Sequence, residues 1–172
     1  MSYDLIFLRR EPGQSWEDAR HAAGEHAASL PDPATWDRIV AGSRQILGDV
    51  SVYVTDQYYE LDHEQTGIQL LCNGEGTGIT VPYWHSGANA DVVTQLIYRL
   101  GRVVEETTGL EGYDPQIDMP LSDAFADADH AAQSYRGVAE MFARAERTAA
   151  RARERQRSVQ RQQKRRWFGR SR

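Results

Sequence analysis

The chain has 172 residues and a mass of 19.5 kDa, 40% of them hydrophobic, which suits one folded domain with an appendage and is short for two full cores. Twenty Lys+Arg against 25 Asp+Glu give a net charge of −5, and the single cysteine, Cys72, excludes an intramolecular disulfide framework or a Cys-based zinc cluster. No uncharged apolar run approaches the roughly 20 residues that span a bilayer, and MSYDLIFLRR lacks a basic region ahead of an apolar one. The expectation is therefore no transmembrane segment, no signal peptide and a cytoplasmic location.

In chain order, Tyr3–Leu8 is a short apolar run that predicts a buried first strand. Ser15 opens S-W-E-D, an N-cap followed by acids, and predicts a helix running to about Ser29. Asp32 is placed to cap a second helix over 34–47, with Trp36, Ile39, Val40 and Leu47 at helical spacing and Gly48 at its end. From Val50 the period changes to alternation. Val50–Val54, Tyr58–Asp62, Ile68–Cys72 and Ile79–Tyr83 predict an antiparallel meander joined by the EQTG and NGEGTG turns. NGEGTG is no P-loop, because no Lys-Ser/Thr and no helix follow its last glycine.

Ser86 or Asn89 is expected to cap the next helix, whose stripe is Val92, Val93, Leu96, Ile97, Leu100, Val103 and Val104, ending at Gly109. Tyr113–Ile117 reads as an edge strand, where Pro115 is tolerated. From Ser122, Phe125, Ala128, Ala132, Tyr135, Ala139 and Phe142 recur at alternating steps of three and four, an apolar seam that dies at Glu146. The order predicts an α+β fold: an antiparallel sheet with helices packed on one face, related to the ferredoxin-like order, plus a long C-terminal helix.

The small net charge hides a division. Residues 1–143 hold 8 Lys+Arg and 23 Asp+Glu, a net of −15, whereas 144–172 hold 12 and 2, a net of +10. After Phe142 the only large apolar residues are Val159, Trp167 and Phe168, too few to bury a core face. Three parts follow: an acidic α+β domain over 1–121, an amphipathic helix over 122–143 that packs on the domain or self-associates as a homodimer, and a basic Arg/Gln-rich tail over 144–172, a solvated helix or disordered.

Three candidate chemistries stand out. Val81-Pro-Tyr-Trp-His-Ser-Gly87 lies at a strand-to-helix junction, where loops carry function and a helix N-terminus offers free N–H groups. There Tyr83, Trp84 and His85 are binding candidates, and His85 is the one candidate catalytic acid or base. Helix capping and core packing explain the same residues without chemistry. The tail offers Arg161, Lys164, Arg165, Arg166 and Trp167 to nucleic acid or an anionic surface, since Arg forks suit phosphate and an aromatic adds stacking. His21, His26, His63, His85 and His130 match no metal-binding spacing, so neither metal nor cofactor is expected. Cys72, on an apolar strand, reads as a buried small hydrophobe.

MSYDLIFL, the TGIQL…ITVPYWHSG segment and TGLEGYDPQ together resemble small bacterial cytosolic proteins, some of which resemble immunity proteins of polymorphic toxin systems. The likeness covers about residues 1–120 and implies an α+β fold and a non-enzymatic binding role, with no site residues to carry over. The leading expectation is a non-catalytic protein whose acidic domain engages a basic protein partner. The alternatives are a nucleic-acid or anionic-surface binder acting through the tail, and an enzyme using the His85 loop.

Overall fold

A computed structural model describes the backbone of residues 2–25, 29–126 and 128–168, and the side chains of all these except 24, 25, 125, 126, 128, 129, 146, 151, 152 and 154–168. Its elements are β1 (Ser2–Leu8), α1 (Trp16–Glu25), α2 (Pro33–Leu47), β2 (Ser51–Val54), β3 (Tyr58–His63), β4 (Ile68–Asn73), β5 (Gly76–Pro82), α3 (Ala88–Thr108), β6 (Glu111–Asp114), β7 (Met119–Pro120), α4 (Leu121–Ala126) and α5 (Ala128–Phe168). The sheet has seven strands in the order β2-β3-β4-β5-β1-β6-β7, and every pairing is antiparallel. The fold is therefore α+β. The ferredoxin-like order survives as β6-β1-β5-β4, widened by β3 and β2 on one side and by β7 on the other.

Local signals act where their chemistry requires. Ser15 Oγ accepts from the Asp18 N–H, and Asp32 Oδ1 accepts from the Thr35 N–H at 3.0 Å, so both helices start on side-chain caps. Gly109 closes α3 in the left-handed conformation (φ 73°), its N–H bonded to the Glu105 carbonyl. Asn73 Oδ1 takes the N–H groups of Glu75 and Gly76 and turns the chain from β4 into β5.

Three expectations change. Gly87, with no side-chain cap, starts α3 in place of Ser86 or Asn89, because its φ of 56° suits glycine and turns the chain directly into the helix. Val92 is 55% exposed and Leu96 only half-buried, so the buried face of α3 runs through Val93, Ile97, Leu100 and Val104. The strand after α3 starts earlier, at Glu111, and is internal: β6 pairs with β1 and β7, and the two residues of β7 form the sheet edge.

The core sits between one sheet face and the helices. Leu61, Leu70, Ile79 and Leu5 are consecutive cross-strand neighbours from β3 to β1, all fully buried, with Tyr3, Phe7, Val81, Ile68 and Cys72 on the same face. Helix α3 packs against β1, β5 and β6 and against α2, α4 and α5. Small residues permit the close approach: a Cβ on Gly101 would stand 2.5 Å from Leu121 Cδ2, and one on Gly42 would stand 2.6 Å from Val103 Cγ1. Helix α1 reaches the opposite face. Trp16 stacks on Tyr113 at 4.6 Å, Arg10 lies 4.8 Å over Trp16, and Tyr113 pairs across the strands with Ile6, which points away from the core.

The apolar seam of α5 turns inward. Ala131, Tyr135 and Ala139 are buried, and the Tyr135 ring lies 5.7 Å from Tyr3 and 5.1 Å from Tyr83. Arg136 pairs with Asp91 at the start of α3. The Tyr135 hydroxyl donates to the Pro82 carbonyl, and its ring lies 6.5 Å from that of His85, fixing the loop after β5 onto the helix. No described helix is long and apolar enough to cross a membrane.

A buried carboxylate ties β1, α3 and β6 together. Asp114 is fully buried, and its Oδ2 accepts from the hydroxyls of both Tyr3 and Tyr98, which lie 3.1 Å apart, while Oδ1 accepts from the Gln116 N–H. Burial pushes the Tyr3 and Tyr98 phenols far above their ordinary value of 10.0, reinforced by the Asp114 charge, and burial pushes the Asp114 carboxyl up as well. Both phenols hold their protons in the folded chain at a pH where the unfolded chain releases them. The contribution of the two phenols should therefore be complete below pH 10 and be lost above it, by up to about 1.4 kcal/mol per pH unit for each. Urea unfolding at pH 9 to 11.5 should show this slope, and Tyr98→Phe should reduce it by about one proton. An unchanged slope in that variant would refute the arrangement.

Candidate binding cleft on the open sheet face

Alternation along the strands puts a polar row on the face opposite the core. Ser51, Asp62, Gln69, Thr80 and Asp4 are consecutive cross-strand neighbours over β2, β3, β4, β5 and β1. Beside them Tyr53 pairs with Glu60. A cleft of 640 Å³ opens here, lined by Ser51, Tyr53, Asp62, Glu64, Gln69, Thr80 and Trp84 among others. The edge strand β2 supplies one wall, with Tyr53 52% exposed, and the loop after β5 supplies another through Trp84.

The electrostatics of this face are lopsided. Asp62 Oδ1 is buried and takes no N–H or hydroxyl donor among the described residues, the neighbouring Glu60 carboxyl being the group within hydrogen-bonding reach of the Asp62 side chain. Glu60 lies two residues earlier on the same face; burial raises its carboxyl above the ordinary range, and the neighbouring Asp62 carboxylate raises it further. The Gln69 amide reaches Glu60 only at 3.5 Å. A bound cation would give Asp62 its missing donor and offset the Glu60–Asp62 repulsion, and Tyr53 and Trp84 offer π-faces to such a group.

The three loop candidates of the sequence separate. Tyr83 points to the helical layer, its ring 6.1 Å from Tyr3 and 5.9 Å from Phe142, and burial pushes its phenol up to about 12. Trp84 points outward, 67% exposed, on the rim of the cleft. His85 lies between them, with Nε2 2.7 Å from the Thr66 carbonyl and 2.8 Å from Trp84 Nε1. One ring nitrogen cannot donate to the carbonyl and accept from the indole at once, so the tautomer decides which neighbour His85 holds. Neither neighbour is a carboxylate or a nucleophile. A second cavity of 480 Å³ lies between this loop and Ala139, Phe142 and Ala143 of α5.

Arg161, Lys164, Arg165, Arg166 and Trp167 lie on the backbone of α5, and their side chains are outside the described residues, as is His26. Cys72 is buried, and burial pushes its thiol up, which makes it unreactive. No group of three His, Cys, Asp or Glu among the described residues is placed to hold a metal ion. Asp62, Glu60 and Tyr53 are not among the candidates named from the sequence. Their signal was the alternation of β3 itself, which set Glu60 and Asp62 opposite the buried Leu61.

Comparison with protein-family models, with curated proteins and with solved structures found no match to this chain.

Trp84 owes its position to the β3–β4 turn. Gly67 has φ 68°, and a Cβ there would stand 2.5 Å from Trp84 Cζ2 and 3.0 Å from Pro82 Cγ. Gly67→Ala should cost about 1–2 kcal/mol in backbone strain, plus a steric part that Trp84→Ala relieves. A double-mutant cycle by urea unfolding should show coupling of at least about 0.5 kcal/mol, and additive effects would place Trp84 elsewhere.

Proposed function

We propose that the protein is a non-catalytic binding module whose acidic open sheet face engages a basic segment of a protein partner, in the manner of an inhibitor or immunity protein. The observation that carries this reading is Asp62: a buried carboxylate oxygen with no N–H or hydroxyl donor among the described residues and a second carboxyl, Glu60, beside it, in a cleft also lined by Glu64, Tyr53 and Trp84. The net charge of −15 over residues 1–143 adds a long-range field that would steer a cationic partner towards the domain. The non-enzymatic role implied by the resemblance agrees with this reading, and a cytoplasmic location goes with it. His85 meets a carbonyl and an indole, which gives catalysis at the loop no support.

A second reading assigns the work to the tail, because eleven of its twelve basic residues are arginine, the residue suited to forked phosphate contacts. Affinity capture from lysate at low and high salt separates the two, using the full chain beside its Asp62→Asn/Glu64→Gln variant. The proposal expects a basic protein that the wild type retains and the variant loses at least tenfold, with nuclease having no effect. Equal capture by both proteins, released by nuclease, would overturn it in favour of the tail.

A further inference from the structure

Within one chain, the acidic face and the basic segment are oppositely charged. Helix α5 continues unbroken from Ala128 to Phe168, and its packed face, through Ala131, Tyr135 and Ala139, lies on the helical side of the sheet. From Arg144 the described side chains, through Ala150 and at Arg153, are exposed, so the helix leaves the domain there. Residues 144–168 in helical form extend about 37 Å. The cleft opens on the other face of the sheet, and α5, unbroken as a helix, has no turn that would fold its charged part back into the cleft of its own chain. A second copy has no such restriction.

We infer that the Arg-rich part of α5 from one molecule docks in the acidic cleft of another, with an arginine guanidinium as the missing donor to Asp62 Oδ1. The inference rests on the proposed role of this face and names a second copy of the chain as an occupant. Three observations meet here: charges of +10 and −15 on separate parts of one chain, an unpaired buried carboxylate oxygen, and exposed aromatic rings of Tyr53 and Trp84 on which a guanidinium can stack. The contact is heterologous, since cleft and helix are different surfaces. A molecule whose cleft is filled still presents its own helix to the next, so the contact extends head to tail beyond a dimer unless two molecules exchange helices reciprocally.

Sedimentation of nuclease-treated full-length protein tests this. At low salt the weight-average mass should rise with concentration past that of a dimer, and it should return to the monomer at high salt. Asp62→Asn/Glu64→Gln removes the cleft, and Arg161→Gln/Arg165→Gln/Arg166→Gln weakens the helix; each alone should lower self-association at least fivefold. Mixed together, the first still offers a helix and the second still offers a cleft, so the mixture should form a complex that stops at one to one. That rescue also shows both variants to be folded. A wild type that stays monomeric at low salt, a closed dimer indifferent to both sets of substitutions, or no complex in the mixture would overturn the inference. Monomeric wild type that still captures a basic protein through Asp62 would leave the proposed function standing.

Discussion

Leu61, Leu70, Ile79 and Leu5 lie side by side across four antiparallel strands, and both faces of the molecule follow from that register. Side chains alternate along a strand, so burying this row places Asp62, Gln69, Thr80 and Asp4 together on the other side. A shift of one residue would put Asp4 of β1, Glu60 or Asp62 of β3, Gln69 of β4 or Thr80 of β5 among the leucines, at a cost of several kcal/mol for each unpaired charged group. The hydrophobic core thus determines the polar face. The cleft is the reverse side of a register chosen by leucine and isoleucine.

The rest of the fold supplies reasons for the sheet to have two unlike faces. Helix α3 covers β1, β5 and β6 on one side, brought close by Gly101, and the Asp114–Tyr3–Tyr98 cluster locks helix to sheet. A buried carboxylate of this kind is tolerated because two phenols and backbone N–H groups satisfy it, and it specifies one alignment of three elements. Leu121 fills the space left by Gly101 and Gly112. On the other side, among the described residues, α1 makes contact through the Arg10–Trp16–Tyr113 stack, and the cleft beside β2 and β3 stays open.

The contrast between Asp114 and Asp62 separates structure from function. Asp114 is buried whole and takes two phenols and a backbone N–H, whereas Asp62 is half-buried and its inaccessible Oδ1 takes no N–H or hydroxyl donor among the described residues. An unsatisfied buried oxygen costs stability, and a partner's donor is the group that would recover it. The loop after β5 serves both settings, sending Tyr83 into the aromatic cluster beneath α5 and Trp84 onto the rim of the cleft, one residue apart.

Much of this was legible from the residues themselves. Changes of period marked β1, the meander and the long helices, Asp32 and Gly109 marked helix ends, and the −15/+10 division is a count along the chain. These are local properties, set by φ/ψ preferences, capping and the spacing of apolar side chains. The pairing of β6 with β1, the inward turn of Tyr135 and the meeting of Asp62 with Tyr53 and Trp84 join residues far apart in sequence. His85 stood out because a histidine beside a serine looks like chemistry, whereas Asp62 looked like an ordinary polar residue at the end of a strand. The sequence determined which residues alternate, but only the tertiary structure decided which face the helices cover. Burial and the loss of hydrogen-bond donors are properties of packing, and packing is where Asp62 differs from every other acid on the surface of a strand.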